Sequence, residues 1–264
     1  MKKQMTKQSL RIAQHSVIAL VAIVLFGGTS VKGANFFVKD NGADWRANSS
    51  WSDNAPDTGQ TTYVAEGRTV TWNDNGNHAF SGDLYVGIND NNVEYPSGTV
   101  YSGEGTVNIN TGTNDNYFIL NDGNEGPASM YLGYAVDGDA KGTFNTLDNS
   151  NAFTHGGSQY IGRAVGSNTV SAEGYYNLGD DTDSQLLIEG GADAGDMYIG
   201  STENDVSGQS AYGELNITGQ SSLSSSAGVE IASGTNATGR FYVGGSDPSD
   251  GILDGRAFGV GRVE

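Results

Sequence analysis

The sequence has 264 residues, no cysteine and a formal net charge of −18 at pH 7. The lack of cysteine excludes disulfide frameworks, thiolate metal sites and cysteine nucleophiles, and the acidity makes nucleic acid and anionic membranes poor partners. With 40 glycines, only 4 prolines and no triplet period, a collagen-like repeat is also excluded.

Residues 1–33 have the layout of a secretory signal peptide. Basic residues at positions 2, 3, 7 and 11 precede the apolar run 17–26, and small residues follow as far as Gly33. Because the run is too short to span a membrane, we expect cleavage after Gly33 or Ala34 and no membrane span in the mature chain. The alternative is an uncleaved anchor. Cleavage removes five of the 13 basic residues and none of the 31 acidic ones, which leaves 8 basic residues and a net charge of −23.

Residues 34–80 differ in composition from the rest and predict an N-terminal cap with a first coil. They hold all three tryptophans of the chain, Trp45, Trp51 and Trp72. Bulky aromatic side chains at the end of a stack of strands would cover its apolar edge and block the addition of another strand. The alternative is a separate small domain.

Residues 81–264 are organised by two short phrases that alternate along the chain. The first phrase, Gly-x-apolar-Asn-apolar, begins at Gly105, Gly142, Gly174 and Gly213, and in a looser form at Gly239. The second phrase, x-Tyr-apolar-Gly, contains Tyr85, Tyr131, Tyr160 and Tyr198, with degenerate copies at 229–232 and 258–261. Successive copies of the first phrase start 37, 32, 39 and 26 residues apart, so the variation in length belongs in loops.

Each phrase predicts a short strand with one buried face, because apolar and polar residues alternate with the period of a strand. In the second phrase we expect an inward column made of Val86, Leu132, Ile161 and Ile199, with the tyrosines on the outside. The glycines that end this phrase, Gly87, Gly133, Gly162 and Gly200, permit tight or left-handed corners and are therefore predicted to be structural turn residues.

Two distinct phrases in a fixed order indicate a repeat architecture. Weaker apolar spots between them, such as 118–120, Phe153 and Leu223, give each repeat a third face. The sequence therefore predicts an all-β parallel β-solenoid of about five to six coils, in which each strand pairs with its counterparts ~4.8 Å above and below. The competing architecture is an antiparallel sandwich or jelly roll, whose strands are also short and alternating.

The chain resembles the autotransporter-type passenger repeats of exported bacterial proteins. The likeness is carried by Trp45, Trp51, the segment 54–59, the runs 69–71 and 84–87, and the Gly-Thr-Val-Asn-Ile repeats, and it extends to about Val260. The resemblance implies a right-handed β-helix displayed at or beyond the cell surface. After Phe258 the chain departs from the pattern, since no translocator barrel or hydrophobic anchor follows. We therefore expect the natural chain to continue or the protein to associate end to end.

No cofactor is predicted, and a structural calcium ion is the one metal for which the sequence offers candidates. Asp180, Asp181 and Asp183 supply clustered carboxylates of the kind that calcium prefers, but the favoured interpretation is that they are solvated loop acids. Asp137 and Asp139 begin an imperfect EF-hand-like frame. His78 and His155 have no partner at the spacing of a zinc site, and no Gly-x-Ser-x-Gly elbow is present.

Two rows of outward residues are the candidates for binding. Tyr85, Tyr131, Tyr160 and Tyr198 would form an aromatic row that either contacts sugar rings or packs upon itself. Asn108, Asn145, Asn177 and Asn216 are interpreted as a ladder of amide hydrogen bonds.

We predict an exported, non-catalytic protein of the cell surface or extracellular space, with a structural or adhesive role. Its expected partners are extracellular glycans or surface proteins. The alternative is a polysaccharide-degrading lyase or hydrolase built on a β-helix, against which the scarcity of basic residues argues.

Overall fold

In the computed structural model the alternating segments of the sequence become short β-strands, and within the described residues the one helical element is the 3-10 turn Asn48–Ser50. The structure describes residues 36–52, 55–56, 61–73, 78–80, 82–93, 102–110, 117–120, 128–147, 150–166, 169–179, 185–189, 196–203, 207–218, 222–225 and 228–243. These strands form two parallel sheets, of eleven and seven strands. The larger sheet divides into two ladders that share one long strand.

Ladder one consists of β1 (Phe36–Phe37), β3 (Thr62–Val64), β6 (Leu84–Asn89), β9 (Ala128–Ala135), the second half of β11 (Asn151–Ala164), β14 (Met197–Thr202) and β17 (Val229–Ser233). Ladder two is the smaller sheet and consists of β2 (Ala43–Asp44), β4 (Arg68–Asn73), β7 (Gly103–Asn110), β10 (Ala140–Thr146), β12 (Ser171–Leu178), β15 (Ser210–Ile217) and β18 (Ala237–Val243). Ladder three consists of β5 (His78–Phe80), β8 (Tyr117–Leu120), the first half of β11, β13 (Gln185–Glu189) and β16 (Ser222–Ser225).

The chain visits the three ladders in a constant order, which recurs five times between β3 and β16. The weak apolar spots predicted as a third face form ladder three. Every strand pair in the described residues is parallel, and the one antiparallel contact there is the isolated bridge between Val38 and Trp51. The prediction of an all-β fold is therefore confirmed, and the antiparallel sandwich was the wrong alternative.

The register places each phrase directly upon its copies, as the repeats predict. In ladder two the glycines that open the first phrase are paired with one another: Gly105, Gly142, Gly174, Gly213 and Gly239. In ladder one Tyr85 pairs with Tyr131, which pairs with Tyr160, and Tyr160 pairs with Tyr198.

The core lies between the ladders and is built from the inward residues of the two phrases. The predicted column of Val86, Leu132, Ile161 and Ile199 is completely buried. Ladder two contributes Val107, Phe144, Tyr176 and Leu215, which are paired in register and equally buried. Burial of this repeated apolar surface, at roughly 25 cal/mol per Å², is the main stabilising contribution to such a fold.

The tryptophans of the N-terminal segment are all buried. Trp45 packs edge-on against Trp51, with ring centroids 5.0 Å apart, and against Phe118, at 5.1 Å. Trp72 also contacts Phe118, at 5.8 Å. Strands β3, β4 and β5 pair with β6, β7 and β8, so this segment extends the same ladders, and the described residues from Phe36 to Val243 belong to one compact unit.

Ladders one and two cross closely at the predicted turn glycines. Gly87, Gly133, Gly162 and Gly200 all have positive φ, between 68° and 74°. A Cβ at each of them would overlap a backbone carbonyl oxygen of ladder two: that of Lys141, Glu173, Tyr212 and Thr238, respectively. Glycine is thus required at these four positions for two reasons: the backbone there is left-handed, and ladder two approaches too closely to leave room for a side chain.

Beyond this crossing the two ladders enclose a second, smaller core made of short side chains. It consists of Ala135, Ala140, Ala164, Val170, Ala172 and Ala211. Each repeat therefore has a large core and an alanine-lined core, separated by the glycine crossing. Residues 244–264, including the last predicted copy of the second phrase, lie outside the described residues.

Candidate functional site

The predicted tyrosine row stands on the outer face of ladder one as a continuous stack. The ring centroids of Tyr85 and Tyr131 are 4.5 Å apart, those of Tyr131 and Tyr160 are 5.0 Å apart, and those of Tyr160 and Tyr198 are 4.9 Å apart. Their planes differ by only 5° to 6°. All four side chains are half-buried. Because each ring face covers the next, the stack offers solvent its ring edges and hydroxyl groups.

The stack has a fifth member that the sequence analysis missed. Tyr63 in β3 is paired with Tyr85, and their rings stack at 5.2 Å and 14°. Its segment, Thr62–Ala65, has the tyrosine and the apolar residue of the second phrase but no closing glycine. A search that did not require that glycine would have found it.

Arg163 closes the stack on one side. Its guanidinium carbon lies 3.9 Å from the centre of the Tyr160 ring and 5.9 Å from that of Tyr131, and it forms an ion pair with Glu203. The cation therefore lies beside two rings of the stack and forms an ion pair with one carboxylate. The left-handed turn at Gly162 makes this contact possible, since residues 160 and 163 would lie on opposite faces of a regular strand.

Burial and nearby carboxylates raise the pKa of the stacked phenols of Tyr63, Tyr85 and Tyr131. Burial, followed by the charges of Asp83 and Asp90, raises the pKa of Tyr63 to about 12. Burial is also the main reason that the pKa values of Tyr85 and Tyr131 lie above the ordinary value. These phenols are neutral hydrogen-bond donors at neutral pH.

The asparagines of the first phrase form the predicted amide ladder on the outer face of ladder two. Each Nδ2 donates to the Oδ1 of the preceding repeat: Asn145 to Asn108 at 2.8 Å, Asn177 to Asn145 at 2.8 Å, and Asn216 to Asn177 at 2.9 Å. Asn216 also donates to Glu214 at 2.8 Å. All four side chains are half-buried.

Two further tyrosines beside this ladder were not predicted as site residues. Tyr175 and Tyr212 point outward from β12 and β15, with ring centroids 5.7 Å apart and planes at 46°. Their hydroxyl groups donate to Glu173 and Glu214, respectively. Lys141 lies 5.2 Å above the Tyr175 ring, and Arg240 lies 5.3 Å above the Tyr212 ring. The sequence showed these residues only as variable positions within strands.

A polar groove of about 520 Å³ opens at the start of the ladder-two strands. Its charged lining residues are Glu104, Asp139, Lys141 and Glu173, and Asn89, Ser102 and Ser171 complete its polar wall. The ammonium group of Lys141 is 3.6 Å from the carboxylate of Glu173, and both side chains are exposed. The groove therefore combines a cation with several carboxylates at the margin of the amide ladder.

The metal candidates divide into two groups. Asp180, Asp181 and Asp183 lie outside the described residues, as do the side chains of His78 and His155. Asp137 accepts a hydrogen bond from the backbone N–H of Asn91 at 2.9 Å, and Asp139 accepts one from Ser171 at 2.8 Å. Within the part of the chain that the structure describes, no three histidine, aspartate or glutamate side chains cluster as metal ligands.

Among these same residues, no helix has the length and apolar character needed to cross a membrane. Comparisons with protein-family models, curated proteins and solved structures found no match to this chain.

Proposed function

We propose that the chain is a right-handed parallel β-helix, exported from a bacterial cell and displayed at or beyond its surface. The fivefold recurrence of the three ladders supports the helical winding. A right-handed sense agrees with the strong preference of parallel strand connections for that hand. The signal-like N-terminus and the likeness to autotransporter-type passengers support export, with residues 34–80 as the cap and 81–264 as the repeats.

Export is tested by fractionating cells that express the full chain and sequencing the N-terminus of the recovered protein. A mature chain that begins at Ala34 or Asn35 and is found outside the inner membrane supports the proposal. Retention of residues 1–33 in the cytoplasm contradicts it.

The role we propose is structural or adhesive rather than catalytic, with glycans or surface proteins as partners. The observation that carries this role is the in-register stacking of outward side chains, from Tyr63 to Tyr198 on ladder one and from Asn108 to Asn216 on ladder two. Such rows stiffen a long face and repeat one set of groups along it. A repeated face suits contact with an extended or multivalent partner, because several weak contacts act together.

Adhesion is tested by measuring the binding of purified residues 34–264 to glycan arrays and to host or neighbouring bacterial cells. The tyrosine row is tested with Tyr131→Phe and Tyr160→Phe, which remove the outward hydroxyl groups and leave the ring stack. Reduced binding by both variants supports contact at this row. Native protein that binds no glycan, protein or cell contradicts an adhesive role.

The groove beside Lys141 favours a second candidate function, the degradation of polysaccharide. Glu104 and Glu173 are two strands apart in the same row of ladder two, with Lys141 between them. Paired carboxylates serve hydrolases, and a lysine with a suitable pKa serves as a base in lyases. Incubation with acidic and neutral polysaccharides distinguishes the two functions. New reducing ends or unsaturated products, absent with Glu173→Gln and Lys141→Ala, would establish the enzyme.

A further inference from the structure

The amide ladder leaves a regular set of hydrogen-bonding groups directed at solvent. Each side-chain amide has two N–H donors and an oxygen with two lone pairs. Asn145 and Asn177 each use one N–H donor and one oxygen lone pair in the hydrogen bonds to their neighbours in the row. The second N–H and the second lone pair of these two amides remain, and their side chains are half-exposed. One donor and one acceptor thus recur on the two middle strands of the row, whereas Asn216 uses both of its N–H donors, on Asn177 and Glu214, and keeps its oxygen as an acceptor.

The row of amides is flanked by other side chains that can also form hydrogen bonds or apolar contacts with a ligand. Two residues before the amides, the outward positions are Thr106, Thr143 and Tyr175, paired in register. They add hydroxyl groups and one half-exposed aromatic ring beside the amides. A sugar ring has hydroxyl groups along its edges and apolar C–H groups on its faces. The hydroxyl groups and amides of this face can form hydrogen bonds to the edges, and the tyrosine ring can pack against a face.

The spacing of the row restricts the shape of the partner. Neighbouring parallel strands lie ~4.8 Å apart, which is close to the advance of one sugar unit along an extended β-1,4-linked chain. A polysaccharide lying along the row would therefore place one sugar at each asparagine, and because neighbouring sugars of such a chain are turned over relative to each other, equivalent hydroxyl groups would meet every second asparagine. A coiled α-linked chain would lose this register after one or two units.

The charge of the protein restricts the partner further. The mature sequence has a net charge of −23 after removal of residues 1–33, so an acidic polysaccharide is repelled at long range. On the described face, Glu173 and Glu214 accept hydrogen bonds from tyrosines and stay close to the row.

On the basis of the glycan contact proposed above, we propose that the outer face of ladder two binds an extended, neutral β-1,4-linked polysaccharide along the row Asn108, Asn145, Asn177 and Asn216. The site is distinct from the tyrosine stack, because it lies on another ladder and offers amides, hydroxyl groups and a tilted tyrosine ring. Each added sugar meets one more amide until the row is filled.

The test is isothermal titration of residues 34–264 with β-1,4-linked glucose and N-acetylglucosamine oligosaccharides of two to six units. We expect affinity to rise with each unit up to about four and then to level off, because four amides form the row. An acidic oligosaccharide and an α-1,4-linked glucose series of equal length are the comparison ligands, and neither is expected to bind. Binding of the α-linked series as tightly as the β-linked one would overturn the proposal.

Variants locate the contact. Asn145→Ala combined with Asn177→Ala is expected to weaken binding by about tenfold, because the two middle amides of the row can no longer form hydrogen bonds to the sugar. Thr143→Val removes one flanking hydroxyl group without touching the amide ladder, and it is expected to weaken binding severalfold even if the double variant folds poorly. Tyr134→Phe, on the outer face of ladder one, is the matched control and is expected to bind like the native protein.

The results of these experiments distinguish the polysaccharide site on ladder two from the more general adhesive role proposed above. If Tyr131→Phe weakens binding while Thr143→Val and the asparagine variants do not, the glycan contact stands but lies on the tyrosine stack, and the proposal for ladder two is wrong. If the native protein binds none of these oligosaccharides yet adheres to cells, the proposal for ladder two is again wrong and the adhesive role is retained.

Discussion

Gly162 of ladder one packs directly against the backbone carbonyl of Tyr212 in ladder two, so closely that no side chain fits between them. The same contact recurs one repeat earlier and one repeat later, at Gly133 with Glu173 and at Gly200 with Thr238. Because the phrase repeats, so does the crossing. The distance between the two ladders is therefore set by glycine along the length of the described chain.

Three alanine substitutions separate the two reasons for glycine at this crossing. Gly42→Ala changes only the backbone preference, since φ is 71° there and nothing lies within 4 Å of a new Cβ, so it should cost about 1 kcal/mol. Gly174→Ala introduces only the clash, with the backbone nitrogen of Gly162 and the carbonyl oxygen of Leu132. Gly162→Ala combines both effects, and its cost should exceed that of either other variant, above about 3 kcal/mol. Urea unfolding of the three proteins measures this order.

Equal losses for Gly42→Ala and Gly162→Ala would show that backbone conformation alone selects glycine. In that case the two ladders would not be in the close contact described here.

Gln159 is a polar side chain in an apolar column, and its replacement should stabilise the protein. It is fully buried, pairs in register with Met130 and Met197, and neither of its amide atoms has a hydrogen-bond partner. A buried polar group without a partner costs about 1–3 kcal/mol. We expect Gln159→Met, which copies its neighbours, to raise the free energy of unfolding by that amount in chemical denaturation.

The matched control is the reverse change one strand away. Met197→Gln places an amide in the same column and should destabilise the protein by a similar amount. A Gln159→Met protein that is less stable than the native one would show that the amide has a role in this core that its missing hydrogen bonds do not reveal.

The period-2 pattern was enough to predict most of what repeats. It placed Val86, Leu132, Ile161 and Ile199 inside, and it predicted the hydrogen-bonded amide row, because each copy of a phrase lies on the next and needs no long-range information. The parallel pairing followed from the fixed order of two distinct phrases.

Contacts that occur only once along the chain could not be predicted from the repeated phrases. The position of Arg163 over Tyr160 requires the left-handed turn at Gly162, which places both side chains on one face. Asp137 and Asp139, which begin an imperfect EF-hand-like frame in the sequence, accept hydrogen bonds from the backbone N–H groups of Asn91 and Ser171, respectively. The two aspartate contacts join residues 46 and 32 positions apart, so no local pattern encodes them.

Arg163 should stabilise the tyrosine stack through its planar guanidinium. Its side chain is only 14% exposed, and it contacts Tyr160 and Glu203 together. Lysine keeps the charge but loses the planar stacking and the rigid fork of donors. We expect Arg163→Lys to lower the free energy of unfolding by about 1–2 kcal/mol, the range of a desolvated cation–π contact. Thermal unfolding followed by circular dichroism measures the change.

Arg240 provides the matched control, since it also lies over a tyrosine, Tyr212, but on the exposed surface. Arg240→Lys should leave the melting temperature unchanged. If both lysine variants lose the same stability, burial is not what makes the Arg163 contact matter.

The tyrosine stack should also make the protein sensitive to alkali. Burial and the charges of Asp83 and Asp90 raise the pKa of Tyr63 from 10.0 to about 12. Between these values the unfolded chain has lost the phenolic proton that the folded chain retains. Unfolding therefore becomes easier as pH rises, by about 1.4 kcal/mol per pH unit for each such tyrosine. Below pH 10 this stabilisation is fully present.

We therefore expect the free energy of unfolding to be flat between pH 8 and pH 9.5 and to fall steeply from about pH 10 to pH 12, where Tyr63 titrates. Phenolate absorbance at 295 nm, recorded with circular dichroism in one titration, should show ionisation of the stacked tyrosines together with the loss of β-structure. Tyr63→Phe removes one titrating group and keeps the ring, so its alkaline transition should move to higher pH. If all the tyrosines ionise near pH 10 while the β-structure persists, the stacked phenols are open to solvent and the packed outer face of ladder one described here is wrong.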